Sequence, residues 1–334
     1  MTARDPAFVQ QLGQAIQGEV LADVPLSRYS TFRIGGPATM VFPAGADDVE
    51  TVLGLARGSG IPWFVLGLGS NVLLPDRGLD ALVIRPGKGM DGIRQEGERW
   101  WLGAGLPAPI AARRTAAAGW AGLHKMVGVP GTVGGGVYMN AGCHGAEWSQ
   151  VVTRVIVMDE GGQATVLDHS AIPFTYRWSG LDRRIVLEAE VSLTEADPEV
   201  LRRETNELFR WRQEGTPFNQ PCCGSTFKNP ELPPGGHASG LSTAGQFLDA
   251  AGLKGNTVGG IQVSPMHANY FVNVGGGTAA DVRTLIDYAR RVVADRFGVI
   301  LETEVKLVAP DGRYERGAHG AGSTVRPQDE SPAS

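Results

Sequence analysis

Hydrophobic positions along the chain switch repeatedly between a helical and an alternating spacing. Asp5-Pro6 opens a segment in which Phe8, Val9, Leu12 and Ile16 recur at helical intervals. A strand is expected over 38–42. A helix follows from Asp47, with Val49, Val52, Leu53 and Ala56 on one face. Apolar runs at 63–66 and 81–84 read as further strands, giving a mixed unit of strands with helices between them. A second unit opens with 100–103 and the alanine-rich 108–118. It continues through VVTRVIVMDEGGQATVLD, a hairpin pattern turning at Glu160-Gly161-Gly162, and a strand over 185–193. A helix is predicted from Asp197 to Arg212, with Pro198 in its first turn and Val200, Leu201, Leu208 and Trp211 along it. A third unit begins near Thr216. It carries a helix over 243–251, a strand over 270–273, and a helix over 281–297 with Val282, Leu285, Ile286, Ala289, Val292 and Val293 at helical spacing. The last strand is expected over 299–308. Residues 311–334, rich in Gly, Pro, Ser and charge, read as a disordered tail. No internal repeat is visible.

Composition narrows the class of protein. A chain of 334 residues with 42% hydrophobic content supports two or three domains and a large core. The net charge of -5 provides no basic footprint for nucleic acid or an anionic membrane. No apolar run approaches the ~18 residues of a membrane span, so no membrane insertion is expected. The start, MTARDPAFVQQLGQ, lacks the charged and apolar regions of a signal peptide, and the expected location is cytoplasmic. Cys143, Cys222 and Cys223 form neither a disulfide framework nor a zinc spacing; they read as buried or loop thiols, and no metal is expected.

The 47 glycines concentrate in three turns. The third, Gly275-Gly276-Gly277-Thr278-Ala279-Ala280-Asp281, fits the loose G-x-G-x-x-A dinucleotide fingerprint. It lies near the end of the chain rather than after a first parallel strand. Thr278 with Asp281 three residues on reads better as a capping box opening a helix. The first turn is Gly67-Leu68-Gly69-Ser70-Asn71. The second is GVPGTVGGG (128–136), with Gly128, Gly131, Thr132, Gly134 and Gly135, followed by VYMNAG with Asn140. Successive backbone N–H groups in such turns form an anion-binding nest, and glycine lets a ligand approach the backbone. Ser70 and Asn71 add side-chain donors. Two nests far apart in sequence can grip one pyrophosphate from two sides.

Taken together, these segments are identified by a resemblance. STFRIGGPA (30–38), LGLGSNVLLPDRG (66–78), GVPGTVGGGVYMNAG (128–142), FTYRWS (174–179), CGSTFKNP (223–230), AGLKG (251–255) and GVILETEV (298–305) occur in this order over nearly all of the chain before the tail. The chain resembles the UDP-N-acetylenolpyruvoylglucosamine reductase family, flavoproteins of peptidoglycan synthesis. The resemblance implies an α+β fold: a two-part FAD-binding fold of the vanillyl-alcohol-oxidase type, plus a C-terminal substrate domain. Its parts would be residues 1–87, joined by a last strand at about 305–310, then 88–213, then 214–304. The short stretch after Arg177 resembles the shorter subtype, which lacks a substrate-covering tyrosine loop.

The implied reaction uses non-covalent FAD, NADPH as co-substrate, and the enolpyruvyl ether of UDP-N-acetylglucosamine. Hydride goes to the terminal enolpyruvyl carbon, charge spreads into the carboxylate as an enolate, and a proton completes the lactyl ether. Ser225 has no activating histidine or aspartate beside it in sequence. An enolate carbon is itself a strong base, so a positioned hydroxyl suffices as donor. The resemblance further implies that Arg177 pairs the carboxylate and that Glu304 helps to stabilise the enolate, which requires a raised pKa there. Strand alternation places Glu302, Glu304 and Lys306 on one face. Asn229 and Lys254, and Lys228 beside them, match substrate-binding positions. Arg212 is a possible substitute for a basic residue that longer members place before the serine motif. The chain departs from the family pattern at Gly136 (usually alanine), Cys143-His144 (usually Ala-Tyr) and Thr303 (usually proline). His144 reads as a packing substitute rather than a covalent flavin link. Two other readings are a flavin oxidase on the same fold and a non-catalytic nucleotide-sugar binding protein.

Overall fold

The structure is a computed structural model that describes residues 2–315. Among the described residues, three sheets of four or five strands are laid down in chain order, beside three two-stranded pairs. The first runs Glu19–Pro25, Pro37–Phe42, Leu82–Ile84, Trp63–Val65. Its first pair is antiparallel and the others parallel. A parallel neighbour needs a crossover, and the helix Ala46–Gly58 supplies it, burying the expected face of Val49, Val52, Leu53 and Ala56. The strand Glu19–Pro25 has no counterpart in the hydrophobic pattern. None of its residues is fully buried, so its sequence shows no alternation to detect.

The second sheet is antiparallel, in the order Ala164–Asp168, Val152–Met158, Ile185–Ser192, Arg99–Gly103, Ile93–Glu96. The helices Ala108–Ala117 and Pro198–Gly215 share a core with it through Ala111, Ala112, Leu208 and Phe209. The third sheet runs Cys222–Ser225, Tyr270–Asn273, Ile261–Val263, Thr257–Val258, all antiparallel. The helices Ala244–Ala250 and Ala279–Phe297 contribute Phe247, Leu248, Val282 and Leu285 to its core. Phe32, Ile34 and Leu73 enter the same core, so the third unit is welded to the first by apolar burial. The glycine turn before Ala279–Phe297 is the expected capping box: Thr278 and Asp281 exchange side-chain and backbone bonds.

Two expectations need correction. The strand over 299–308 shrinks to Lys306–Leu307, which pairs in parallel with Val72–Leu73. The segment meets residues 226–228, just past the short bulged strand Cys222–Ser225, through one isolated bridge, Phe227 with Thr303, so no continuous ladder forms. Residues 302–304 are held instead by separate bonds, Lys228 N–H to Glu302 O (2.9 Å) and Glu304 N–H to Thr226 O (2.8 Å). Glu302 is exposed, Glu304 is turned against Arg177, and both line one cleft together with Lys306. The expected tail also starts later than 311. Tyr314 bridges back to Val308 and stacks near Phe64 and Tyr138, and Glu315 takes two bonds from Arg283. Residues 316–334, the rest of that tail, lie outside the described residues.

Gly136, where the resemblance leads one to expect alanine, faces the fully buried Trp148. A Cβ at this position would fall on the indole, 2.7 Å from Cε2 and closer still to Nε1. The small residue and the large one are therefore complementary. Gly136→Ala should cost about 1–3 kcal/mol by overpacking, read as a lower urea midpoint. In a Trp148→Leu background the same substitution should cost much less. An equal cost in both backgrounds would mean that the indole is not the reason for the glycine.

Candidate active site

One cleft of about 1670 Å³ runs between the three sheets. That exceeds the ~300–1,000 Å³ of an ordinary small-molecule pocket, and two ligands side by side require such a space. Its floor is built by the first two glycine turns, which touch. Ser70 Oγ donates to Pro130 O at 2.8 Å, and a Cβ on Gly67 would press on Thr132 Oγ1. Thr132 caps the short helix Val133–Tyr138 by accepting from Gly135 N–H. Among the described residues, the N–H groups of Gly67, Leu68, Gly69, Ser70, Gly131 and Thr132 make no hydrogen bond within the protein. They line the cleft as a nest without an anion partner from the chain itself. The side chains of Ser70 and Asn71, expected to donate to the anion, are used otherwise: Asn71 Nδ2 donates to Glu304 O at 3.3 Å. Behind the first turn, Arg85 donates to the carbonyls of Gly67 and Tyr29 and lies 5.0 Å over the Tyr29 ring.

Ser225 enters the cleft from the edge of the third sheet. Cys222 pairs with Val272 and Ser225 with Tyr270, so Cys223 and Gly224 on one strand oppose the single residue Phe271 on the other. This is a β-bulge, which re-aims the residue that follows it. Gly224 takes φ +75 there, a conformation open to glycine and strained for other residues. Asn269 fixes the next residues: its Oδ1 accepts from Phe227 N–H at 2.9 Å and its Nδ2 donates to Phe227 O at 2.8 Å. Thr31 ties this wall to the floor, its hydroxyl donating to Cys222 O at 2.6 Å while its N–H donates to Gly69 O.

The opposite wall presents charge. Arg177, held at φ +59 in the FTYRWS turn, donates from Nε to Glu304 Oε1 at 3.0 Å and from Nη2 to Gly142 O at 3.1 Å. Arg177 and Glu304 are 18% and 17% exposed, so the pair is largely desolvated. Burial pushes the Glu304 carboxyl up, outweighing the downward pull of Arg177, Lys228 and Arg212. That is the direction the enolate role requires. Arg212 reaches the same cleft, 3.9 Å from Cys143 Sγ and 5.8 Å from the Tyr270 ring centre. Lys306 also lines it, and burial holds its ammonium below the usual lysine range.

The cleft thus gathers Gly67, Leu68, Gly69, Ser70, Asn71, Gly131, Thr132, Gly134, Gly135, Arg177, Ser225, Lys228 and Glu304. The structure does not bring four other candidates to its lining. Gly128 is buried against the Arg212 stem. Asn140 spends its side chain on Thr175 O and Ser149 N–H. Asn229 accepts from Ala244 N–H, and Lys254 pairs with Asp249 at 2.6 Å on the surface. His144 packs edge-on against Trp211, 4.8 Å between ring centres, and is not among the lining residues. Sequence reasoning missed Arg85 and Asn269, and placed Lys306 beside Glu304 without giving it a role. None belongs to a glycine turn or the serine motif, and their roles depend on contacts far along the chain.

Comparison with known proteins bears on the same regions. A family model described as "UDP-N-acetylenolpyruvoylglucosamine reductase, C-terminal domain" matches residues 216–308, and one described as "FAD binding domain" matches 37–168. The chain is 38% identical over 305 residues to UDP-N-acetylenolpyruvoylglucosamine reductase 1 of Bacillus anthracis, covering 90% of this chain and 98% of that one. Against the Bacillus subtilis reductase it is 35% identical over 304 residues, covering 90% and 97%. Among solved structures it is similar to the UDP-N-acetylenolpyruvylglucosamine reductase of Thermus caldophilus, with a TM-score of 0.73, 33% identity, and coverage of 87% and 99%.

The raised Glu304 makes stability depend on pH. The folded state binds this proton more tightly than the unfolded chain does. The group's contribution is therefore fully present below the unfolded glutamate value and is lost as pH rises through the higher folded value. As pH rises above the ordinary glutamate range, the urea midpoint of the ligand-free protein should fall more steeply than that of Glu304→Gln. Parallel profiles would show that the carboxyl is not raised.

Proposed function

Because the chain belongs to the UDP-N-acetylenolpyruvoylglucosamine reductase family, we propose that its cleft reduces the enolpyruvyl ether of UDP-N-acetylglucosamine to UDP-N-acetylmuramate. The observation that carries this reading is the meeting of Ser225, Arg177 and Glu304 in one cleft above two glycine turns. The unpartnered N–H groups of those turns fit a pyrophosphate without a cationic side chain, so they would hold FAD. With FAD held there and NADPH as reductant, the cofactor would supply the hydride chemistry of the reaction. Residues 1–87 with 305–310, and 88–213, form the cofactor half, and 214–304 close over the nucleotide sugar.

The protein's own residues do the rest. Arg177 presents a planar fork to the substrate carboxylate, where negative charge accumulates. Glu304, whose proton affinity burial raises, would add a donor instead of a repelling charge once it takes up a proton. Ser225 gives its proton to the carbanionic carbon, forming the new C–H bond; positioning by the bulge replaces activation by a base. Lys228 and Arg212 are two of the cleft cations and would meet the diphosphate of the nucleotide sugar. Asn229 and Lys254 would join them only by leaving their present partners. No described helix is long and apolar enough to cross a membrane. Both NADPH and nucleotide sugars are cytoplasmic metabolites, which supports a cytoplasmic enzyme.

The purified protein should be yellow. Anaerobically, NADPH should bleach it and the enolpyruvyl sugar should restore the colour. Ser225→Ala should leave bleaching intact and slow recovery by about 10²–10⁴-fold. Near-normal recovery in that variant would remove Ser225 from the proton-donor role.

A further inference from the structure

The cross-strand partner of Ser225 is Tyr270. Directly opposed residues of an antiparallel pair project from the same side of the sheet with neighbouring side chains. The register therefore sets the two side chains beside each other, and the Ser225 hydroxyl is one of the groups that lower the phenol's proton affinity. Tyr270 is 4% exposed and, unlike Ser225, is not among the cleft-lining residues. It is therefore buried beside the serine, outside the cleft lining. The ring is fixed on several sides. Arg212 from the helix Pro198–Gly215 lies 5.8 Å from its centre, and the His267 ring packs edge-on at 5.0 Å. Tyr270 N–H donates to His267 O at 2.9 Å.

We propose that Tyr270 is a positioning residue for the protonation step, orienting the Ser225 hydroxyl and returning the proton that Ser225 gives up. The proposal rests on the Ser225 role given above. The step balances as follows. The Ser225 O–H bond breaks as the substrate C–H bond forms, leaving an electron pair on Oγ. The phenolic proton moves to that pair, and the phenolate beside the Arg212 guanidinium regains a proton from water. Net, one solvent proton reaches carbon and both side chains return to their starting state. A serine hydroxyl without a resupplying partner would be left as an alkoxide in a half-buried site, which is costly.

The groups that face the phenol set its proton affinity. Burial raises it, Arg212 lowers it, and the Cys222 and Cys143 thiols face it from their own strands. Neighbouring His267 is held below its usual value by burial, with Arg212 adding to the effect, and so stays neutral near pH 7. With burial dominant, Tyr270 keeps its proton at neutral pH and is available as the donor.

Tyr270→Phe keeps the ring and removes only the hydroxyl. In the flavin-loaded protein, reduction by NADPH and affinity for the UDP-sugar product, read by calorimetry, should stay within about twofold. Reoxidation by the enolpyruvyl sugar should slow by at least about tenfold, with a larger solvent deuterium isotope effect. In a Ser225→Ala background the same change should add nothing. Placing 3-fluorotyrosine at position 270 lowers the phenol pKa without changing shape, and should move the alkaline limb of the reoxidation profile to lower pH. Should Tyr270→Phe reoxidise normally while Ser225→Ala does not, the inference about Tyr270 falls and the serine role stands. Should Ser225→Ala itself reoxidise normally, the underlying reading falls first. A slowed Tyr270→Phe whose isotope effect is unchanged, with an unmoved profile for the fluorinated protein, would reduce Tyr270 to packing and overturn the proposal.

Discussion

The segment 302–306 is the joint on which the site depends. Its backbone bonds to two units at once: Glu304 N–H to Thr226 O, and Lys306 N–H to Asn71 O. The Glu304 carbonyl also accepts from the Asn71 amide. The carboxyl is thereby fixed relative to both the serine strand and the first glycine turn. Those two walls are separated by about half the chain, and side-chain contacts alone would leave them free to slide. Arg177 closes the arrangement from a third direction by pairing with that carboxyl. A donor, an anion nest and a guanidinium are held in register because one short irregular stretch is bonded to everything around it. Preorganisation of this kind makes buried donors effective in catalysis.

Much of this was legible in the sequence, for a physical reason. The glycine turns, the capping box at Thr278 and the helix faces are local features whose causes lie within a few residues, and they appear where the spacing puts them. The strand Glu19–Pro25 was silent because nothing in it is fully buried. The predicted strand over 299–308 failed because alternation reports which side chains are buried, not whether an edge is available to pair with. Leu301 and Val305 are indeed buried, yet the segment meets residues 226–228 through one isolated bridge. Asn229, Asn140 and Lys254 were chosen for residue type within a motif. In the ligand-free protein their side chains bond Ala244, Thr175 and Ser149, and Asp249, partners that a motif does not reveal. Arg85 and Asn269 escaped for the opposite reason, since each matters only through partners distant in sequence or in a different element.

The departures from the family pattern are compensated nearby. Gly136 makes room for Trp148, and neither residue is intelligible alone. His144 takes φ +54 and packs on Trp211, so the ring remains although the phenol is gone. Thr303 retains a single bridge to Phe227, which is sufficient because the bonds on either side of it fix the backbone. In each case a change of side chain leaves the backbone path of the cleft intact.

The buried carboxyl would be a liability in a protein selected only for stability. A raised Glu304 beside Arg177 means that desolvation exceeds what the ion pair returns, and a well-packed apolar pair would often serve folding as well or better. The cost makes sense if the charge missing from the resting site is supplied by the substrate. A carboxylate arriving at Arg177 would compete with Glu304 for the guanidinium, reinforce protonation of Glu304, and so turn an acceptor into a donor at the moment charge builds on the substrate. Burial, the joint at 302–306 and the serine on its bulge then serve one end: a site poorly satisfied alone and well satisfied only around an anion.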